Sequence, residues 1–263
     1  VASGKTLNYG GAALSLGAHT LTLTGGGTLS NTNSLTLENV SSVLKMAGPN
    51  TVSGPIFLNS GTLDIDDDCV ITGTLTLGVS SSIDFASGKT LSYSGTAISL
   101  GANTLTLSGD GNISSTNALV LDNADSQLTI TGSSILSGAQ VTAALTHGIV
   151  ISESSTITTL TIDALAPVVI ASDKTLSGTV VVNSGEKLQL TQAGNLASAV
   201  TLNGGTLDID ESMSISGAIT QSAIGIGFGV PACFLILFEP TMVPSCIVLM
   251  GTFLAFSNAP VSY

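Results

Sequence analysis

Along most of this chain apolar residues recur at two-residue spacing with Thr or another small residue between them: Leu14 and Leu16, Leu21 and Leu23, Leu35 and Leu37, Leu119 and Leu121. Gly17, Gly25, Gly101, Gly109 and Gly138 punctuate these runs. An amphipathic helix needs apolar partners three and four residues apart, so the alternation predicts half-buried strands of about three to five residues closed by turns. A slower spacing is superimposed: Leu7, Leu14 and Leu21 stand seven apart, as do Leu91, Ile98 and Leu105. Seven is also the helical heptad, but Gly and Ser fill the intervals that a coiled coil would give to helix formers.

The pattern repeats over long distances. ASGKTLNYGGAALSLGAHTLTLTGGG from Ala2 returns as ASGKTLSYSGTAISLGANTLTLSGDG from Ala86, an ungapped offset of 84 residues with 30 identities over 53 aligned positions. LNSGTLDIDDDCVITGTLTL from Leu58 returns as LNGGTLDIDESMSISGAIT from Leu202, an offset of 144. Three strand-plus-turn units of seven make a coil of about 21 residues; four such coils span the first offset and seven come close to the second. The chain is therefore predicted to be all-β, a parallel β-solenoid of about ten coils with three short strands each, over residues 1–221. At ~4.8 Å per coil this is a rod of roughly 50 Å, with Leu, Ile and Val inward and Thr and Ser outward.

Composition sharpens that picture. Hydrophobic residues make up 43% of the chain and the mean hydropathy is +0.56, which excludes disorder. With no Trp and 4% aromatic residues, the core must be built from small aliphatic side chains. Charged residues are only 8%, as expected where each side chain stacks on its equivalent ~4.8 Å away and a column of like charges would repel at every step. Asn33 and Asn117, and Asn39 and Asn123, occupy equivalent turn positions and are candidates for amide ladders. Five Lys and no Arg against 17 Asp and Glu give a net charge of -12, which excludes a nucleic-acid surface. Cys69, Cys233 and Cys246 cannot all pair, so no disulfide framework is indicated. The chain starts at Val1 with no leader-like segment, which reads as a processed or trimmed end.

Residues 222–263 differ in character. They hold five of the seven Phe and four of the seven Pro, with Glu239 as the one charged side chain. Pro231, Pro240 and Pro244 divide the run and leave 245–259 as its longest Pro-free part, short of the ~20 residues that span a bilayer. This segment is predicted to be a separate hydrophobic tail that caps the solenoid or docks on a neighbouring subunit. Phe228, Phe234, Leu235, Ile236, Phe238, Ile247, Leu249, Phe253 and Phe256 are its assembly residues, and any membrane contact would come through it.

Candidate chemistry is sparse. Asp64, Asp66, Asp67 and Asp68, echoed by Asp208, Asp210 and Glu211, form the densest charge; Asp64, Asp66, Asp68, Asp208 and Asp210 are weak calcium candidates, because hard cations favour several carboxylate oxygens. Neither copy matches a known calcium loop, and the alternation reads as a solvated acidic face, so no metal or other cofactor is expected. Asp64 with Asp66, or Asp208 with Asp210, could supply a glycosidase carboxylate pair, but any acidic solenoid offers such pairs. His19 aligns with Asn103, and His147 stands alone; both read as surface or turn residues. Cys69 aligns with Met213 and reads as a buried small hydrophobe. Gly25, Gly26 and Gly27 lack the Lys and Ser or Thr of a phosphate loop. Thr20, Thr22, Thr24, Thr74, Thr76, Thr104 and Thr106 form Thr-x-Thr pairs of the kind that flat ice-binding arrays use, here at intervals that interrupt the array.

The phrases NSGTLDI from Asn59 and NGGTLDI from Asn203, with strand-like stretches such as GANTLTLSGDG from Gly101, resemble the passenger repeats of bacterial autotransporters and large surface adhesins, over about residues 1–220. The resemblance implies an exported bacterial β-helix without a catalytic centre, and residues 222–263 depart from it. The expectation is a non-catalytic structural or adhesive protein, extracellular or at the cell surface. It would self-associate into a fibre by end-to-end stacking and tail docking, with a surface glycan or host ligand as a further partner. The alternatives are a polysaccharide-binding or polysaccharide-cleaving β-helix and an ice-binding solenoid.

Overall fold

The computed structural model describes residues 1–143, 148–164 and 166–221. Strands wind into a parallel β-solenoid of about ten coils. The first coil sets the three faces: Thr6–Tyr9 on face one, Leu14–Ser15 on face two and Thr20–Leu23 on face three. Each strand pairs in parallel with its successor, as Thr6 with Thr28, Leu14 with Leu35 and Thr20 with Val43. Face one stacks eleven such strands and face three ten, so a partial turn, Ser214–Ile215 and Ile219–Gln221, follows the tenth coil.

Alternation explains the core. In Leu35–Leu37 the two Leu are fully buried and Thr36 between them is not; Thr62–Ile65 and Gln127–Ile130 repeat this inside-outside rhythm. Inward residues stack in columns, so most inward side chains meet another apolar side chain above and below. The column Leu7, Leu29, Val52, Ile71, Tyr93 runs up face one. Burying one such aliphatic side chain contributes about 1.5–3 kcal/mol.

Coils average about 21 residues but vary from 19, as between Val43 and Thr62, to 24, as between Ser81 and Leu105. The variation has an ordered consequence. Leu91 is the sequence counterpart of Leu7, yet the residue four coils above Leu7 is Tyr93; on face three Leu107, rather than Leu105, stands above Leu21. The second copy of the repeat has slid by two residues. Two is the side-chain period of a strand, so every inward residue stays inward, whereas a slip of one would expel the core.

The expectation of three short strands per coil holds for the first six coils and again for the tenth, with Asn195–Leu196, Ala199–Leu202 and Thr206–Ile209, and fails in the three coils between. Ile135–Ala143, Ser155–Ile162 and Thr175–Val182 each run across faces one and two as one strand, with register shifts at Leu136/Gln140 and Ile157/Leu160. STITTLTI is rich in β-branched residues and has no Gly at the corner, and its neighbours run through the same corner although they carry Gly138 and Gly178 there, so the three stacked strands bend together through an irregularity instead of breaking. The Asn residues also differ from expectation. Asn33 Nδ2 donates to the carbonyl of Gly11 at 2.6 Å and Asn117 Nδ2 to that of Gly95, one coil below, while Asn39 and Asn123 accept from the backbone of Ser41 and Asp125 in local turns. Equivalent Asn residues are four coils apart, so each side chain satisfies itself on backbone rather than on another amide.

Candidate functional site

The acidic cluster lies on and beside face three. Asp64 stacks between Lys45 below and Asp84 above. Lys45 Nζ donates to Asp64 at 2.7 Å and also contacts Asp66, which holds the ammonium charged well above the usual lysine range. Lys89 reaches down to Asp67 at 2.8 Å; the bond pushes the Asp67 pKa down and that of Lys89 up. The second copy repeats the device: Lys187 Nζ to Asp208 at 2.7 Å, and Gln189 Nε2 to Asp210 at 2.7 Å. Lys174 pairs with Glu153 at 2.7 Å. Asp68 accepts from the Thr90 amide at 2.8 Å. The carboxylates considered for calcium or glycoside chemistry are thus engaged by donors on neighbouring coils. Among the described residues no three His, Cys, Asp or Glu side chains gather as a metal site.

A second device recurs at the 84-residue offset. Glu38 accepts from the Ser15 hydroxyl and from the Gly17 amide at 2.9 Å; Asp122 accepts from the Ser99 hydroxyl and from the Gly101 amide at 2.9 Å. Gly17 and Gly101 have φ of +55° and +54°, the left-handed turn that glycine takes without strain. The carboxylate pins that turn from the next coil, and the Ser15 bond draws the Glu38 pKa below its ordinary value.

Cys69 is buried and unpaired by any disulfide, and burial, with the nearby Asp68 and Asp67 charges, pushes its thiol up to about 12. A protonated buried thiol is a poor nucleophile. His19 is exposed, and His147 lies outside the described residues. The Thr pairs divide between faces: Thr20 and Thr22, and Thr104 and Thr106, are on face three, but Thr76 is on face two. One outward column of face three, Thr20, Val43, Thr62, Ser82, Thr106, Thr129, is hydroxyl-rich; the column beside it, Thr22, Lys45, Asp64, Asp84, Ser108, is charged. No flat double row of Thr results.

Tyr93 was not singled out by the sequence. It lies in the core at 2% exposure. On face two the amide of each coil normally donates to a carbonyl of the next, as Leu35 to Pro55 and Ile56 to Thr74 at 2.9 and 2.8 Å. At the fourth coil this ladder is broken, because Leu75–Leu77 and Ile98–Ser99 do not pair. The Tyr93 hydroxyl fills the gap, accepting the Leu75 amide at 3.1 Å and donating to the Thr96 carbonyl at 2.7 Å. Gly95 makes room: a Cβ there would lie 2.5 Å from that hydroxyl and 2.2 Å from the Gly73 carbonyl. The available signal was the return of Tyr9 as Tyr93 in a chain with three Tyr in all.

The first and the last described coils carry the other distinctive surfaces. Leu7 in the first coil is 54% exposed and Ile219 in the last described turn 38%, although both point along inward columns. Among the described residues each end presents strands with a neighbour on one side only. The nine assembly residues assigned to the tail lie outside the described residues, as do Cys233 and Cys246. Among the described residues no helix is long and apolar enough to cross a membrane. Comparison with protein-family models, curated proteins and solved structures finds no match to this chain.

Proposed function

We propose that the chain is a non-catalytic structural or adhesive protein of the extracellular space or cell surface, a subunit of a fibre that grows by end-to-end stacking of solenoids. One observation carries the reading: apolar side chains of the core columns, Leu7 and Ile219, stand exposed at opposite ends, while the acidic flank is closed by ion pairs and hydrogen bonds. Open strand edges must be capped or used, and an end that stacks on the opposite end of the next copy makes a contact that propagates. Residues 222–263 would act as the docking arm, and the adhesin-like repeats agree with a surface location. Negative-stain microscopy of the purified full chain tests this. The expected image is filaments one solenoid wide with an axial repeat of roughly 50 Å; isolated rods at every concentration would overturn it.

A further inference from the structure

The two long-range echoes in the sequence, taken together with the coil stacking, specify the register of such a junction. The first coil, with Lys5, Leu7, Tyr9 and Leu14, is the counterpart at offset 84 of the fifth, with Lys89, Leu91, Tyr93 and Ile98. The last described turn, with Glu211, Met213, Ile215 and Ile219, is the counterpart at offset 144 of the fourth, with Asp67, Cys69, Ile71 and Leu75. The fourth and fifth coils are neighbours within the chain. Each open end therefore resembles one side of a contact that the protein already makes internally.

The internal contact is well defined. Cys69 pairs with Leu91, Val70 with Ser92 and Ile71 with Tyr93. Leu91 and Leu75 are 1% and 2% exposed. Their counterparts at the ends are Leu7 and Ile219, the two exposed residues described above. Lys89 is paired with Asp67; its counterpart Lys5 has no carboxylate partner among the described residues, and Glu211, the counterpart of Asp67, is exposed. The ends are thus complementary in charge as well as in apolar surface.

We infer that the carboxyl-terminal turn of one copy stacks on the amino-terminal coil of a second copy in the register that joins coils four and five, with Met213 against Leu7, Ser214 against Asn8 and Ile215 against Tyr9. This rests on the fibre-subunit reading and deepens it by naming the partner surface. Lys5 bonds Glu211 as Lys89 bonds Asp67, and the Tyr9 hydroxyl accepts the Ile219 amide as that of Tyr93 accepts the Leu75 amide. Several positions depart from the internal template, among them Ser212 for Asp68, Met213 for Cys69, Ser214 for Val70 and Asn8 for Ser92. A Ser hydroxyl can still accept an amide, and the flexible thioether adapts to the Leu7 face. The counterpart of the third-face strand Ser81–Phe85 falls at 225–229, outside the described residues, so the junction is defined by faces one and two.

The test uses the full chain in four forms: wild type, Leu7→Asp, Lys5→Glu and Glu211→Lys, with self-association followed by sedimentation velocity and negative stain. All three positions are exposed or half-buried in the single chain, and circular dichroism checks that the fold is kept. Leu7→Asp places a carboxylate in an apolar contact and is expected to weaken association at least about a hundredfold. Each charge reversal alone is expected to weaken it about three- to tenfold. Mixing the two reversed chains restores assembly, because Glu at position 5 then meets Lys at position 211 in alternating copies. Filaments that persist in Leu7→Asp, or a mixture no better than its components, would overturn this register and leave the fibre reading standing. A wild type that never associates would overturn both.

Discussion

Removing the hydroxyl of Tyr93 is the most direct probe of how the coils are held together. Tyr93→Phe keeps the ring in its packed position and deletes the group that accepts the Leu75 amide at 3.1 Å and donates to the Thr96 carbonyl at 2.7 Å. Leu75 is 2% exposed, so its N–H loses its partner in a place that water does not reach, whereas Thr96 is exposed and its carbonyl can be rehydrated. One buried donor left unsatisfied costs about 1–3 kcal/mol, and that is the expected loss. Urea unfolding followed by far-UV circular dichroism measures it as a lower midpoint at an unchanged slope. The repeat supplies the control: Tyr9→Phe changes the counterpart residue in the half-open first coil and is expected to cost less than about 0.5 kcal/mol in the unassociated chain. If Tyr93→Phe costs no more than Tyr9→Phe, the hydroxyl does not stand in for the missing ladder bond between coils four and five.

Three further outcomes follow from the same geometry. Gly95→Ala brings a Cβ to 2.2 Å from the Gly73 carbonyl and 2.5 Å from the Tyr93 hydroxyl, so it is expected to cost about 2–3 kcal/mol in urea unfolding; Gly11→Ala, beside the movable Tyr9, should cost far less. Glu38 and Asp67 carry lowered pKa values, so their contribution is present above the ordinary carboxylate range and is lost as pH falls through the lowered folded values; Glu38→Gln should flatten the acid limb of a melting-temperature profile against pH. The Cys69 thiol, raised from 9.0 to about 12, stabilises the fold below pH 9 and loses that contribution as pH rises toward 12. The alkaline limb should therefore fall by about 1.4 kcal/mol per pH unit from this group, and Cys69→Ala should remove that part of the slope.

How much of this the sequence disclosed depends on which physical quantity each feature obeys. Strand identity and the inward set follow from two-residue alternation, which Leu35–Leu37 and Thr62–Ile65 display without any tertiary information, and the number of coils follows from the repeat offsets. Coil length is a different matter. Alternation is unchanged by a slip of two residues, so the pattern of Leu7 and Leu91 could not reveal that Tyr93 stands in the column of Leu7. The merging of faces one and two in Ile135–Ala143 was hidden for a related reason: Gly138 at its corner reads as a turn, but whether a corner bends as a bulge or breaks depends on the strands stacked against it. Lys45, Lys174 and Lys187 stand 19–21 residues from Asp64, Asp66, Glu153 and Asp208, about one coil, so their ion pairs were within reach of the coil arithmetic. Tyr93 was not, because its role exists only where a ladder bond fails.

The charge imbalance then finds an explanation in donors rather than in opposite charges. Stacking was expected to exclude charge from the columns, yet Asp64 and Asp84 are direct neighbours on face three. What each carboxylate requires is a hydrogen-bond donor on an adjacent coil, and a neutral donor meets that requirement as well as an ammonium does. Lys45, Lys89, Lys174 and Lys187 serve Asp64, Asp67, Glu153 and Asp208. Ser108 donates to Asp84, Ser15 to Glu38, Ser99 to Asp122, Asn183 to Asp163 and Gln189 to Asp210. A charge-assisted bond to a carboxylate is stronger than a neutral one and does not require a cation. A solenoid rich in Ser and Thr can hence carry a net charge of -12 with its acids bonded from coil to coil. The same logic makes the rod's ends informative: Lys5 and Glu211 are a donor and an acceptor whose internal counterparts, Lys89 and Asp67, bond across one coil step, and which in a single chain lie at opposite ends.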